Sequence, residues 1–373
     1  MAGNQEKDAL QIRVLLQRMF CFTCFFIQKG FKFLVSFQKT ISLHVETLTQ
    51  NMTTMRRKVL FAALFAVLGM ILPATGFAQE ELVKFGDFDS WVTRHIKESV
   101  LVGGKTQTLY EVGPEGTFDG ARPYVNQGGS PWACSNVYAK VAGVVKTNVS
   151  VYPDKHHDGQ CAKLYTHIVS CKAIGIINIS VLAAGSLYLG TLPEPITSSN
   201  DPMSKINTGI PFQKRPKAVK FDYKYYTPGT KRIRETGFSR RQTIDGKDMG
   251  QVTCLLQKRW EDENGNIHAL RVGTLHHFFS ENTDWKEGQV FEIHYGDITG
   301  ESFYSKEMGL MSGENGFFAL NSKGKNVSIQ EEGWAKPDET PTHIILKFDS
   351  SHGGAYIGTV GNTLWIDNVK LVY

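Results

Sequence analysis

Helical periodicity is nearly absent from this sequence. Apolar residues never recur for long at three- and four-residue spacing, and "SKEMGLM" at 305–311 offers about one turn. Internal repeats, low-complexity linkers and long runs of like charge are also missing, which leaves strands to carry the fold. Cysteine is scarce. Of six, Cys21 and Cys24 lie in the first 78 residues, and Cys134, Cys161, Cys171 and Cys254 remain. Four are too few for a disulfide framework in a chain long enough to bury its own core. One or two bridges would suit an exported protein, with Cys161 and Cys171 the easiest pair by spacing. No apolar run reaches the ~20 residues that span a bilayer.

Basic charge looks plentiful, with 41 Lys+Arg against 36 Asp+Glu. It is concentrated at the N-terminus. From Met55 the chain reads "MRRKVLFAALFAVLGMILPATGFAQE": Arg56, Arg57 and Lys58, then an apolar stretch from Val59 to Leu72, then small residues Gly76 and Ala78. This is the pattern of a secretory signal peptide cut after Ala78. The other reading is a membrane anchor, for which the run is short. The Phe-rich residues 1–51 read as an upstream extension of a start at Met52 or Met55, so the expected layout is 1–51 extension, 52–78 leader, 79–373 mature domain. The first 78 residues hold 9 Lys+Arg and 3 Asp+Glu, so 79–373 holds 32 and 33, a net charge of −1. A nucleic-acid partner loses its compositional support. No cysteine stands directly after Ala78, so a lipoprotein anchor is not expected; the mature chain is expected in the periplasm or outside the cell, with no stable membrane insertion.

Strand signals fill the rest. The segments 162–169, 185–192, 217–226, 251–260, 268–279, 289–296 and 342–351 are rich in β-branched and aromatic residues, several with period-two alternation. "DENGN" at 262–266 carries an Asn-Gly hairpin signal. One all-β domain, two antiparallel sheets packed as a sandwich, fits this pattern. Within 217–226, Val219, Phe221, Tyr223 and Tyr225 make a core row and Lys220, Asp222, Lys224 and Tyr226 a polar one. The last strand, "TLWIDNVKLVY", poses a problem. Strict alternation puts Trp365, Asp367, Val369, Leu371 and Tyr373 on one apolar row, with a carboxylate in its middle. A buried charge there needs a partner.

Several motifs occur in a recognisable order: "FGDFDSW" (85–91), "SPWACSN" (130–136), "YPDKHHDGQCAKLYT" (152–166), "AAGSLYLG" (183–190), "GIPFQKRPKAVKFDYKY" (209–225), "GENGFFAL" (313–320) and "FDSSHGGAYIGTVGNTLWIDNVKLVY" (348–373). On these the chain resembles the "putative carbohydrate metabolism domain" family of exported proteins. The resemblance implies a galactose-binding-like jelly roll, the architecture of many carbohydrate-binding modules. It also implies that the first and last strands meet and flank a structural calcium ion, held here by Asp87, Asp89 and Asp367. Calcium takes six to eight oxygens and would neutralise a buried carboxylate. The alternative is that Asp367 accepts backbone N–H groups or pairs with a Lys or Arg.

Sugar recognition needs flat apolar surface for C–H faces and polar groups for hydroxyls. Trp132 and Asn136 match family positions in a Gly- and Pro-bounded loop. Trp132 would stack on a ring, or else plug the sandwich as core. Arg215 would hold an acidic sugar or a backbone carbonyl, and Lys224 and Tyr226 complete the expected ligand set. A glycoside hydrolase or lyase is the first alternative; it needs two carboxylates roughly 5–10 Å apart, and Asp222 and Glu292 are the candidates. A structural or adhesion component is the second. The "HHDGQC" stretch, with His167 and Cys171 beyond it, fits no compact zinc motif, and adjacent histidines in an extended loop do not easily ligate together. The expected function is non-covalent binding of a glycan, with no cofactor required beyond a structural calcium.

Overall fold

Fourteen strands frame the candidate site; twelve build its two sheets, and the second and third pair in a separate small sheet. In chain order they are β1 (Glu80–Leu82), β2 (Trp91–Lys97), β3 (Thr106–Val112), β4 (Trp132–Cys134) and β5 (Val151–His156). Then come β6 (Gly159–Tyr165), β7 (Ser186–Thr191), β8 (Ala218–Tyr226), β9 (Gly250–Glu261) and β10 (Ile267–Phe279). The last are β11 (Lys286–Glu292), β12 (Asn326–Trp334), β13 (His343–Asp349) and β14 (Thr363–Val372). The computed structural model describes residues 79–173, 177–198, 202–237, 241–313 and 316–373. The leader expected at 52–78 and the extension at 1–51 lie outside them. Helical structure among the described residues is limited to 3-10 turns, one of them Lys306–Met308 in "SKEMGLM".

The described residues are all-β. Sheet I runs β11–β8–β14–β6–β5, with β1 on the outer end of β14. The central run of sheet II is β7–β13–β9–β10–β12, with β4 on β7. The sheets stack with one core between them, drawn from Leu164, Val219, Phe221, Leu364 and Ile366 of sheet I and Val252, Cys254, Leu256, Leu346 and Phe348 of sheet II. That is the sandwich the alternation implies. The hairpin at 262–266 is present, closed by the Asp262 N–H to Asn266 carbonyl bond at 3.0 Å, with Gly265 at φ 88°.

Sheet II is covered on its other face too. There Leu255, Ile267, Ala269, Ile329 and Ile345 pack with Phe317 and Ala319. Strand β9 is therefore buried on both sides from Val252 to Gln257 and does not alternate there.

Strand β14 departs from strict alternation, and the departure resolves the Asp367 problem. Leu364 and Ile366 point into the core, and so do Val369 and Leu371. The inward set switches from even to odd numbers across Asp367–Asn368. Asn368 adopts φ 54°, and the pairing slips: Lys220 faces Lys370, but Asp222 faces Asp367. This is a β-bulge. It turns Trp365 and Asp367 outward, so the carboxylate is not in the core row. Cys134, Cys161 and Cys254 are free, buried thiols, so the Cys161–Cys171 pair that spacing made easiest is not formed.

Candidate functional site

The outer face of sheet I collects side chains from four strands into cross-strand rows. Tyr152 of β5 pairs with Lys163 of β6, Lys163 with Trp365 of β14, and Trp365 with Lys224 of β8. One register step away, Tyr165, Thr363 and Tyr226 form a second row. One step the other way lie Asp154 and Cys161, then Asp367 and Asp222. Outward residues of adjacent paired strands sit within contact range of each other, so each row is continuous.

Trp365 is the centre of the face. Lys163 Nζ lies 5.5 Å from its ring centroid and Lys224 Nζ 5.4 Å. Its indole N–H donates to Asp154 Oδ2 at 2.9 Å, fixing the ring's orientation. Burial acts to raise the Asp154 carboxyl, but the bonds from the Trp365 indole and the Lys155 N–H, with the Lys163 charge, hold it below its ordinary range. Tyr152, Lys163, Tyr165, Thr363 and Trp365 line a depression of about 460 Å³. Tyr152 also lines a second one of about 220 Å³, with Asn148 and His167, so the concave surface extends beyond the sheet edge. Aromatic faces, ammonium and hydroxyl donors and a carboxylate acceptor thus share one open surface.

The far end of the face is roofed. The tip of the β5–β6 hairpin brings His156 over Asp367, and Trp285 stacks on the His156 ring with centroids 3.7 Å apart. His156 Nδ1 lies 2.6 Å from Asp367 Oδ2, and Asp367 Oδ1 accepts the Asn368 N–H at 2.7 Å. Burial, joined by the charge of Asp222, pushes the Asp367 carboxyl up to about 6, against the pull of these bonds. Desolvation opposes charge on His156, but its bonds to Asp367 and Glu287 outweigh this and raise it. Asp222 accepts the Gly288 N–H and, at 2.8 Å, the Asn368 side-chain amide.

The residues singled out from sequence divide clearly. Lys224 and Tyr226 are on the face, Tyr226 exposed. Trp132 is not: it is 1 % exposed, its indole N–H bonds the Lys84 carbonyl at 2.9 Å, and Phe88 meets it edge-on. Asn136 is equally buried and serves the backbone, donating to the Tyr110 and Val151 carbonyls and accepting from the Ser150 and Val151 N–H groups. Arg215 takes its carbonyl-holding alternative, bonding Pro337 and Glu339 carbonyls over the Tyr295 ring.

Asp222 and Glu292 do not flank a common space. Glu292 pairs with Ala218, which places Asp222 four residues along β8, roughly 13 Å away. The expected calcium set does not assemble either. Asp89 accepts the Gln160 N–H, Asp367 is taken by a histidine, and Asp87 and Asp89 join no cluster of three or more converging His, Cys, Asp or Glu among the described residues. Asp367 does have an internal partner, but it is His156 rather than a Lys or Arg.

Sequence reading missed Trp365, Tyr152, Asp154 and His156 as members of one surface. The available signal was Asp-Asn inside a strand, because Asn tolerates positive φ and marks bulges.

Residues 115–372 match the family described as "Putative carbohydrate metabolism domain". No functionally curated protein matches the chain. Among solved structures, the chain is similar to "a putative glycoside hydrolase" from Bacteroides thetaiotaomicron VPI-5482, at 17 % identity and TM-score 0.40, covering 73 % of this chain and 76 % of that one. It is also similar to "a putative glycoside hydrolase" from Bacteroides vulgatus ATCC 8482, at 15 % identity and TM-score 0.37, covering 60 % and 77 %.

Proposed function

The chain belongs to the "Putative carbohydrate metabolism domain" family, and from that premise we propose that it binds a glycan non-covalently on the outer face of sheet I. The observation that carries this reading is the continuous row Tyr152–Lys163–Trp365–Lys224 beside an open depression. A sugar ring presents an apolar C–H face and a rim of hydroxyls. Trp365 and the tyrosines match the first; Asp154, Thr363 and the two lysines match the second. Lys163 has Asp154 as an ion-pair partner at 3.4 Å, whereas Lys224 has none among the described residues. An uncommitted cation beside the stacking ring favours glycans carrying a carboxylate or sulfate. The leader read at 52–78 supports a place for this activity outside the cytoplasm, which fractionation of the expressing cell would check.

The test is a glycan-array screen of the purified protein with Trp365→Ala beside it. A specific hit is expected, weakened at least ~tenfold in the variant, the scale of one lost aromatic stack. Incubating the hit with the protein should release no sugar. Steady release would instead favour a hydrolase or lyase, and a blank array from folded protein would favour the structural or adhesion reading.

A further inference from the structure

The hairpin tip over Asp367 holds a second feature, independent of the glycan reading. His156 Nε2 lies 3.2 Å from Glu287 Oε1, and His157 Nε2 lies 3.3 Å from the same oxygen. One ligand atom from each of the three residues lies within 4.8 Å of the other two. Consecutive residues rarely point two rings at one spot, since neighbours on a strand face opposite ways. Here they do because His157 leaves the strand: it sits at φ 48° in the hairpin turn, and its ring comes to 4.2 Å from that of His156. The loop is a tight turn rather than an extended one, which removes the objection to paired histidines.

We propose that His156, His157 and Glu287 form a binding site for a divalent transition-metal ion of the zinc class, with Asp367 as the residue that positions His156. Three arguments support it. The first is distance. A tetrahedral ion with bonds of about 2.0–2.1 Å sets its ligand atoms about 3.3 Å apart, close to the two separations observed.

The second is the proton. Asp367 accepts from His156 Nδ1, and a carboxylate facing the other ring nitrogen is the arrangement that orients metal-ligating histidines. With the proton on Nδ1, the Nε2 lone pair faces the Glu287 carboxylate. A cation between the two would satisfy both groups. Trp285 stacked on the ring fixes its plane.

The third is the competing cluster. His156, Asp222 and Asp367 also converge, all buried. Their carboxylate oxygens, however, are already engaged by Gly288, Asn368 and His156. Glu287 has only the two imidazoles as ion-pair partners among the described residues.

Two imidazoles and one carboxylate favour zinc, and hard calcium would prefer an all-oxygen set. Three protein ligands leave a fourth position for water or a ligand hydroxyl. Because the histidines lie at the end of β5 and Glu287 lies on β11, an ion would tie together the two edges of sheet I.

The test uses purified protein stripped with a chelator and titrated with Zn2+ in competition with a chromophoric chelator. One ion per chain is expected. His157→Ala and Glu287→Ala, both at exposed positions, should each weaken binding at least ~tenfold without changing the metal-free melting temperature. Asp367→Asn should weaken it by roughly 10–100-fold, the usual effect of losing such a partner. His95→Ala, at an unrelated histidine, should not. Zinc binding that ignores both exposed substitutions, or no zinc binding by the folded protein, overturns the site and leaves the two histidines as ion-pair partners of Glu287.

Discussion

Trp132 and Trp365 divide the two uses a tryptophan has. Each gives its indole N–H to a fixed acceptor, Lys84 carbonyl in one case and Asp154 carboxylate in the other. One ring is sealed between the sheets, and the other is partly open to solvent between two lysines. Trp132→Ala should therefore cost about 3–5 kcal/mol of stability, as large core truncations do. Trp365→Ala should leave chemical denaturation nearly unchanged while weakening binding at least ~tenfold. The sequence names both as tryptophans and does not distinguish them, because burial depends on what the rest of the chain brings against each ring. A second residue-scale consequence concerns pH. Arg94 lies between two buried glutamates, Glu111 at 2.7 Å and Glu194 at 2.6 Å. One guanidinium cannot neutralise both. Burial, with the Glu194 charge adding to it, pushes the Glu111 carboxyl up to about 7 against the attraction of Arg94. For an acid with a raised pKa, the bound proton favours the fold. That contribution is whole below about 4.5, the ordinary value, and is lost as pH rises through about 7. Melting temperature should fall between about pH 5 and 8 by the part this group controls, and Glu111→Gln should flatten that part of the curve. A wild-type slope retained in the variant would assign the effect elsewhere.

At the scale of elements, most strands were legible because their β-branched and aromatic residues alternate. The rows Val219, Phe221, Tyr223, Tyr225 and Ile344, Leu346, Phe348 face the core as the pattern requires. Two elements were not legible that way. Strand β9 is covered on both faces, so its apolar run carries no phase. Strand β14 changes phase at its bulge, and period-two reasoning cannot see an inserted residue. The bulge has its own test. Asn368→Val forces a β-branched side chain into φ 54°, where strain of about 1–3 kcal/mol is usual, and removes the amide bond to Asp222. Asn368→Gly removes the same bond but suits the backbone. Denaturant titration should rank the valine variant clearly below the glycine one. Equal losses would mean that the side-chain bond, not the backbone, holds the bulge.

For the whole molecule, the "FDSS" motif marks where the sheets close on each other. Ser350 Oγ accepts the Gly185 N–H at 2.9 Å, and Thr166 Oγ1 lies 2.7 Å from Ser350 Oγ and 2.8 Å from Ser351 Oγ. Gly185 is needed because a Cβ there would collide with the Tyr165 nitrogen and the Ser150 carbonyl. Gly185→Ala should cost about 1–3 kcal/mol, read as a lower melting temperature, as overpacking does. The motif was visible in the sequence as a resemblance; its role as a clasp was not. The binding face was legible only in pieces, Lys163 and Tyr165 on one polar row and Lys224 and Tyr226 on another. Joining them needs the order β8–β14–β6–β5, which brings residues 152, 163, 224 and 365 side by side across more than half the chain. The central claim is that this face takes the glycan, and hydrogen–deuterium exchange with and without a saturating array hit tests it most directly. Protection confined to 152–167, 222–226 and 361–368 is the expected result. Protection on the outer side of sheet II, with none on these segments, would contradict it.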